Sequence, residues 1–262
     1  MTPGYRAALA VEVLKARRAP VLPLTAVGFS VAPLVGALFM VILRDPERAR
    51  SLGLIGQKAQ VAAGSADWPA FFDLLAQAMA MGGAVLFAIV TLWVFGREWA
   101  DRTIRITLAV PTPRWAVVAA KGTVVVGWCA FLTLWVFGLG LGVVSLLDLP
   151  LWSRELAVES AVRIGSVAAL TVALQSVTAF VASAGRGYLA PFGWTLACLA
   201  AANILVVLGW GPWFPWAVPP LLSGALPDAD PVSLTSIALV LFTGVLGSVA
   251  TVRWWETADQ AG

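Results

Sequence analysis

Histidine is absent from the 262-residue sequence, and cysteine occurs only at Cys129 and Cys198. Without histidine, metal sites built on imidazole ligands and histidine general bases are both excluded. Each cysteine lies inside an apolar run, which is typical of a small side chain buried in a core. We therefore predict no catalytic residue and no metal ligand in this chain.

Charged residues are also scarce, at 12% of the chain, whereas 60% of the residues are apolar. Soluble domains average about 25% charged and about 45–50% apolar residues, so a water-soluble globule is excluded. The apolar residues form six runs of the length that a helix needs to cross a bilayer, about 20 residues. The predicted spans are 19–43, 74–95, 115–147, 164–183, 188–209 and 233–252. The predicted fold is an all-α membrane protein with a single transmembrane domain over residues 1–262.

The distribution of lysine and arginine predicts the orientation of these spans. The N-terminal segment and the loops predicted on the same side of the membrane carry more lysines and arginines than the loops predicted on the other side. Lys15, Arg17 and Arg18 lie directly before the first span. Because such residues favour the cytoplasmic side, we predict that both termini are cytoplasmic.

Residues 1–18 are predicted to form an interfacial helix that precedes the first span. In this prediction Tyr5, Leu9, Val13 and Ala16 share one face, and Glu12 and Lys15 lie on another. The alternative is a plain cluster of charges beside the membrane.

The loop between the second and third spans has the pattern of a short amphipathic helix over residues 97–110. Trp99, Thr103 and Ile106 fall on one face, and Glu98 precedes Arg102 by four residues, which is the favourable order for an ion pair. Pro111 is expected to end this helix. A rigid helix of this kind can transmit motion from a cytoplasmic partner to the spans; the alternative is a helix that merely ends two spans.

The residues of this loop resemble the coupling segment of permeases of the type-2 group of ABC exporters. The resemblance rests on a charged motif before threonine, a proline turn with arginine, and a following lysine. These are Arg97-Glu98-x-x-Asp101-Arg102-Thr103, Pro111-Thr112-Pro113-Arg114 and Lys121. The resemblance extends more weakly to Glu12-x-x-Lys15-x-Arg17-Arg18 before the first span.

The resemblance implies a bacterial inner-membrane exporter, such as an antibiotic efflux system. A second permease copy or a paralogue would complete the pathway, and separate ATPase subunits would hold ATP and magnesium; this chain itself would bind no cofactor. The residues that the resemblance assigns to ATPase coupling are Glu98, Trp99, Asp101, Arg102, Thr103, Pro111, Arg114 and Lys121. Independently of the resemblance, the sequence lacks the Gly-x-x-x-x-Gly-Lys-Ser/Thr phosphate loop of an ATPase.

Polar residues within the predicted spans are candidates for contact with a transported compound. They are Thr133, Gln175, Thr178 and Asn203. Amides are unfavourable in lipid, so we expect Gln175 and Asn203 to face protein or a cavity. Hydrogen bonding between helices is the alternative explanation for all four.

Two other functions remain open. A secondary transporter commonly carries ionisable groups near the middle of the membrane, and no acidic residue lies in any predicted span, which argues against proton coupling. A membrane scaffold or regulator without transport activity would share all of these sequence features.

Overall fold

The computed structural model describes residues 3–45, 65–104, 111–225 and 232–257. Within these ranges the chain is helical and contains no strand. The helices are α1 (Pro3–Arg17), α2 (Val21–Arg44), α3 (Trp68–Ala100), α4 (Arg114–Val144), α5 (Arg154–Ala184), α6 (Leu189–Val207), α7 (Val218–Leu222) and α8 (Leu234–Thr257). Six of them, α2 to α6 and α8, are long and apolar enough to cross a membrane, which confirms the all-α membrane fold.

Each predicted span coincides with one of these six helices, but several helices extend well beyond it. Helix α3 has 33 residues, and α4 and α5 have 31 each. At 1.5 Å per residue they are about 46–50 Å long, against about 30 Å for the hydrocarbon core. Polar caps set two of the extended ends, because Asp67 accepts from the Ala70 amide at 2.8 Å and Ser153 accepts from the Leu156 amide at 3.0 Å.

Helix α5 lies at the centre of the bundle, between α3 and α8. Glycines on α8 allow the close approach, since a Cβ atom on Gly247 would lie 2.5 Å from the Ser176 hydroxyl oxygen and 2.7 Å from the Val177 nitrogen. The Ser176 hydroxyl donates a hydrogen bond to the Gly244 carbonyl at 2.7 Å. These contacts fix α8 against α5 through main-chain groups, the close packing that small residues permit in membranes.

The ends of the helices meet in two groups. At one end, the turn between α5 and α6 packs on the end of α3, because a Cβ on Gly96 would lie 2.8 Å from the Gly187 carbonyl oxygen. At the other end, the Trp68 amide donates to the Pro150 carbonyl, and the Trp68 and Trp152 rings lie 4.6 Å apart. The first of these ends also holds α1, the start of α4 and the end of α8.

The segment between α6 and α7 is rich in proline and tryptophan. It consists of two short 3-10 turns, Gly211–Trp213 and Pro215–Ala217, which lead directly into α7. Proline supplies no amide hydrogen, so a continuous regular helix is disfavoured here.

Two predictions of local structure need correction. Arg97–Ala100 belong to α3 itself, so the predicted helix 97–110 does not begin as a separate element; its residues 105–110 lie outside the described residues. Helix α1 is present, but Ala8, Glu12 and Ala16 form its buried face, and Glu12 is only 6% exposed. The prediction had placed Glu12 on the polar side. Placement of α1 at the membrane interface stays a prediction.

Candidate functional site: a buried charge cluster

Four charged side chains from three helices form a cluster at the end of the bundle that holds α1. Glu12 and Lys15 come from α1, Glu98 from the last turn of α3, and Lys121 from the third turn of α4. The Lys121 Nζ atom lies 2.6 Å from Glu98 Oε1 and 3.3 Å from Glu12 Oε2. The Lys15 Nζ atom lies 2.6 Å from Glu12 Oε1 and 2.9 Å from Glu98 Oε1. We call these four residues the charge cluster.

The cluster is buried to a degree that is unusual for charged residues. Lys121 is 0% and Glu98 1% exposed. The Lys121 ammonium group uses its three donors on Glu98, Glu12 and the Val94 carbonyl oxygen at 2.7 Å. Two positive and two negative groups leave the cluster neutral, which lowers the cost of burying its charges, while the Glu98 Oε2 atom has no hydrogen-bond partner in the described part of the chain.

Lys15 is the most accessible member, with a quarter of its side chain exposed. Burial lowers the pKa of Lys15, but the carboxylates of Glu98 and Glu12 together raise it by more, so the net pKa is above the ordinary value for lysine. Lys15 therefore stays charged at neutral pH and holds α1 against α3.

Aromatic side chains connect the cluster to the ends of α5 and α8. The Lys121 Nζ atom lies 6.0 Å from the centroid of the Trp255 ring, and the Trp255 indole donates to the Ser183 hydroxyl at 3.0 Å. The Arg114 guanidinium donates to the Trp255 carbonyl at 3.0 Å. Five helices (α1, α3, α4, α5 and α8) are thus linked through one polar centre.

The residues predicted to couple to an ATPase separate into two groups. Asp101, Arg102 and Thr103 are exposed on the turn that follows α3, where Arg102 has a left-handed backbone (φ +56°) and the Thr103 amide donates to the Glu98 carbonyl at 2.8 Å. Pro111 is also exposed. These residues form a surface that a partner can reach.

The other predicted coupling residues are partly or wholly covered by this chain. Glu98 is buried, so the expectation that its side chain meets an ATPase directly is not supported; it contacts Lys121 and Lys15 instead. Trp99 is half-buried under the Arg186 guanidinium, 5.3 Å from its ring. Arg114 faces the end of α8, as described above. Lys121 lies near the start of α4 and links it to Glu98 of α3 and Glu12 of α1.

The cluster includes Glu12 and Lys15, which the predicted coupling set left out. The burial of Glu12 could have been inferred from its spacing to Ala8 and Ala16. These two small residues lie one helical turn before and one turn after it. Small neighbours of this kind allow another helix to approach and cover the acid.

The four predicted pathway residues are not brought together. Gln175 and Thr178 are buried on α5, and the Gln175 Nε2 atom is 3.5 Å from the Ala84 carbonyl of α3. Thr133 is half-buried and donates to the Cys129 carbonyl of its own helix. Asn203 is exposed on α6, contrary to expectation. Its side-chain amide donates a hydrogen bond to the Leu199 carbonyl one turn earlier, so part of its hydrogen-bonding capacity is satisfied within its own helix.

The fold and the cluster define a multi-pass helical membrane protein whose polar centre lies at one end of the bundle. A family model described as "ABC-2 family transporter protein" matches residues 8–201. The bacitracin transport permease protein BCRB of Bacillus licheniformis is 26% identical over 180 residues, which cover 68% of this chain and 85% of that protein. No solved structure matches the chain significantly.

The chain belongs to the ABC-2 family of transporter proteins. It is accordingly a permease, the membrane subunit of an ABC transporter, which confirms the family that the motifs of residues 97–121 indicated.

Proposed function

We propose that this chain is the membrane subunit of an ATP-driven exporter in a bacterial inner membrane, with both termini cytoplasmic. A second copy or a paralogue completes the translocation pathway, and separate ATPase subunits, which bind ATP and magnesium, dock on the cytoplasmic end. The similarity to a bacitracin transport permease supports an amphipathic antibiotic as the exported compound.

The observation that carries the coupling part of this proposal is the charge cluster. The turn at Asp101–Thr103 is exposed, and it follows Glu98 by only a few residues. A force applied to this turn would pass along the last turn of α3 to Glu98. From Glu98 it would pass through short ion pairs to Lys121 on α4 and to Lys15 on α1. Desolvated ion pairs with several hydrogen bonds resist deformation, so α1, α3 and α4 are expected to move as one body when the ATPase subunits close.

The proposed contact between the exposed turn and an ATPase subunit can be tested by co-purification. An ATPase subunit that partners this chain, co-expressed with it, should be retained by the wild-type permease. Asp101→Ala combined with Arg102→Ala should reduce that retention because both side chains are exposed at the proposed contact. Arg253→Ala, which removes an exposed arginine at the same end of the bundle, serves as the control and should leave retention unchanged.

Equal retention of the ATPase by the turn variant and the Arg253→Ala control would contradict this assignment.

Orientation is tested separately with maleimide labelling of Arg17→Cys in intact and permeabilised cells. Labelling of this position in intact cells by a reagent that does not cross membranes would place α1 on the outer face and overturn the proposal.

A further inference from the structure

A pocket lined by basic residues lies where α1 turns into α2, beside the end of α3. Its volume is about 400 Å³. Lys15 and Arg18 line it from the end of α1, and Arg97 and Asp101 line it from the end of α3. The other lining residues are apolar or aromatic: Leu14, Ala19, Pro20, Trp93 and Tyr188. We call this the basic pocket.

The cations of the basic pocket are accessible and have donors to spare. Arg18 is exposed and forms no ion pair with any residue that the structure describes. A third of the Arg97 side chain is exposed, and its ion pair with Asp101 is long, at 3.4 Å from Nε to Oδ2. Lys15 gives two of its three ammonium donors to Glu12 and Glu98, and a quarter of its side chain is exposed. An anion that enters the pocket therefore meets free donors.

The charge of the basic pocket matches that of one phosphate diester. Lys15 is balanced within the charge cluster, which is neutral as a whole. Arg18 and Arg97 against Asp101 then leave one positive charge in excess among the lining residues. Guanidinium groups donate pairs of parallel hydrogen bonds to phosphate oxygens. A monoanionic phosphate is thus complementary to the pocket in both charge and hydrogen bonding.

The basic pocket lies at the level where the membrane helices change from apolar to charged. On α3 the apolar run ends at Phe95, shortly before Arg97. Helix α2, which is apolar from its first residue, begins at Val21 directly after the pocket. Trp93 in the lining belongs to the residue types that favour the headgroup level of a bilayer. Basic pockets between membrane helices at this level are suited to anionic lipid headgroups.

An exposed apolar face of α2 continues from the basic pocket into the membrane. The Leu24 amide donates to the carbonyl of Pro20, a lining residue, at 3.1 Å, and Leu24 is 65% exposed. Val27 and Val31 follow on the next turns and are 68% and 54% exposed. A phospholipid can place its headgroup in the pocket and its acyl chains on this face. A free phosphate ion would use the pocket alone.

We propose that the basic pocket binds the headgroup of an anionic phospholipid, with the phosphate between Arg18 and Arg97 and the acyl chains along the exposed face of α2. The remaining donor of Lys15 is available to the same phosphate. The lipid would join the turn between α1 and α2 to the end of α3, next to the charge cluster. Binding requires only that the helices span a bilayer that contains such a lipid, and it does not depend on ATP-driven export.

The test uses the full-length protein in phosphatidylcholine vesicles that contain a small fraction of a photoreactive lipid. That lipid is either phosphatidylglycerol or phosphatidylcholine, with the same diazirine-bearing acyl chains, and labelled residues are mapped by mass spectrometry. We expect phosphatidylglycerol to label Leu24 and Val27 at least about fivefold more than phosphatidylcholine, the factor for one basic residue near a membrane surface. Leu134, on the exposed face of α4, should be labelled equally by both lipids.

Matched substitutions separate the basic pocket from a general attraction of anionic lipids to basic residues. Arg18→Gln and Arg97→Gln should each reduce the preference for phosphatidylglycerol severalfold. Arg17→Gln removes the same charge from an exposed neighbour outside the lining and should leave the preference unchanged. Arg18→Lys should retain much of it. If Arg97→Gln fails to fold, the comparison of Arg18→Gln with Arg17→Gln decides, since both positions are exposed.

Three results would overturn the proposal. The first is equal labelling of Leu24 and Val27 by the two photoreactive lipids. The second is an equal loss of preference in Arg18→Gln and Arg17→Gln, which would show a diffuse attraction and no built site. The third is displacement of the photoreactive phosphatidylglycerol by an equal concentration of glycerophosphoglycerol, the same headgroup without acyl chains, since the pocket would then be a site for soluble anions. Displacement by unlabelled phosphatidylglycerol alone would support a lipid site.

Discussion

Replacement of Lys121 by methionine is the most informative single perturbation of the charge cluster. Lys121 is fully buried, and its ammonium group contacts Glu98, Glu12 and the Val94 carbonyl at 2.6–3.3 Å. Methionine preserves much of the volume but leaves two carboxylates facing one remaining cation, Lys15. Removal of one partner from a buried ion pair typically costs about 3–5 kcal/mol, because the other charge stays desolvated.

The size of this loss is measured by unfolding the purified protein in mixed detergent micelles. Lys121→Met should lower the free energy of unfolding by about 3–5 kcal/mol. The double variant Glu98→Gln with Lys121→Met restores the charge balance, since Glu12 and Lys15 remain paired at 2.6 Å. It should recover a large part of the loss. Arg17→Met, an exposed position on α1, is the control and should change stability by less than about 0.5 kcal/mol.

Recovery in the double variant distinguishes an unbalanced charge from a loss of packing. If Lys121→Met and the double variant are equally destabilised, the loss comes from packing around residue 121 and not from an unbalanced charge. If Lys121→Met is as stable as Arg17→Met, the side chain does not occupy the buried position described here.

Three further predictions test other parts of the fold. Gly247→Ala should destabilise the protein by about 1–3 kcal/mol in the same assay, because its Cβ would collide with the α5 backbone, whereas Gly127→Ala should be neutral or stabilising by up to about 1 kcal/mol. Because the pKa of Lys15 is raised in the folded protein, its contribution to stability is fully present below the pKa of unfolded lysine, about 10.4. That contribution is lost as the pH rises through the higher pKa of the folded protein. Above about pH 10 the free energy of unfolding should therefore fall more steeply in the wild type than in Lys15→Met. Asp73→Asn should cost less than about 1 kcal/mol, since about half of the Asp73 side chain and a third of the Arg163 side chain are exposed in their ion pair. A loss comparable to that of Lys121→Met would contradict this.

The membrane helices were predictable because each depends on a local property, about 20 successive apolar residues. Their true lengths were not, because charged and polar caps extend them past the apolar run. Asp67 and Ser153 begin α3 and α5 well before the hydropathy rises, and each does so through a side-chain hydrogen bond to the backbone. Hydropathy averaged over a sliding window does not detect a cap of this kind.

The charge cluster could be predicted only in part. Glu98 and Lys121 were found because their motif resembles that of a transporter family, but the pattern of charges in α1 suggested a solvated face. Helical periodicity places Glu12 correctly on a face with Ala8 and Ala16. It does not reveal that a lysine 109 residues later in the chain covers that face. Non-local pairing of this kind requires the tertiary structure.

Transmission of movement from the ATPase subunits to the spans through the charge cluster is tested most directly with two spin labels. One is placed at Arg17→Cys on α1 and the other at Val207→Cys at the opposite end of the bundle, and the complex is trapped with ATP and vanadate. In the wild type, trapping should change the distribution of distances between the labels. In the double variant Glu98→Gln with Lys121→Met, ATP hydrolysis and retention of the ATPase should persist while that change is reduced or lost. An undiminished change in the double variant would contradict the claim.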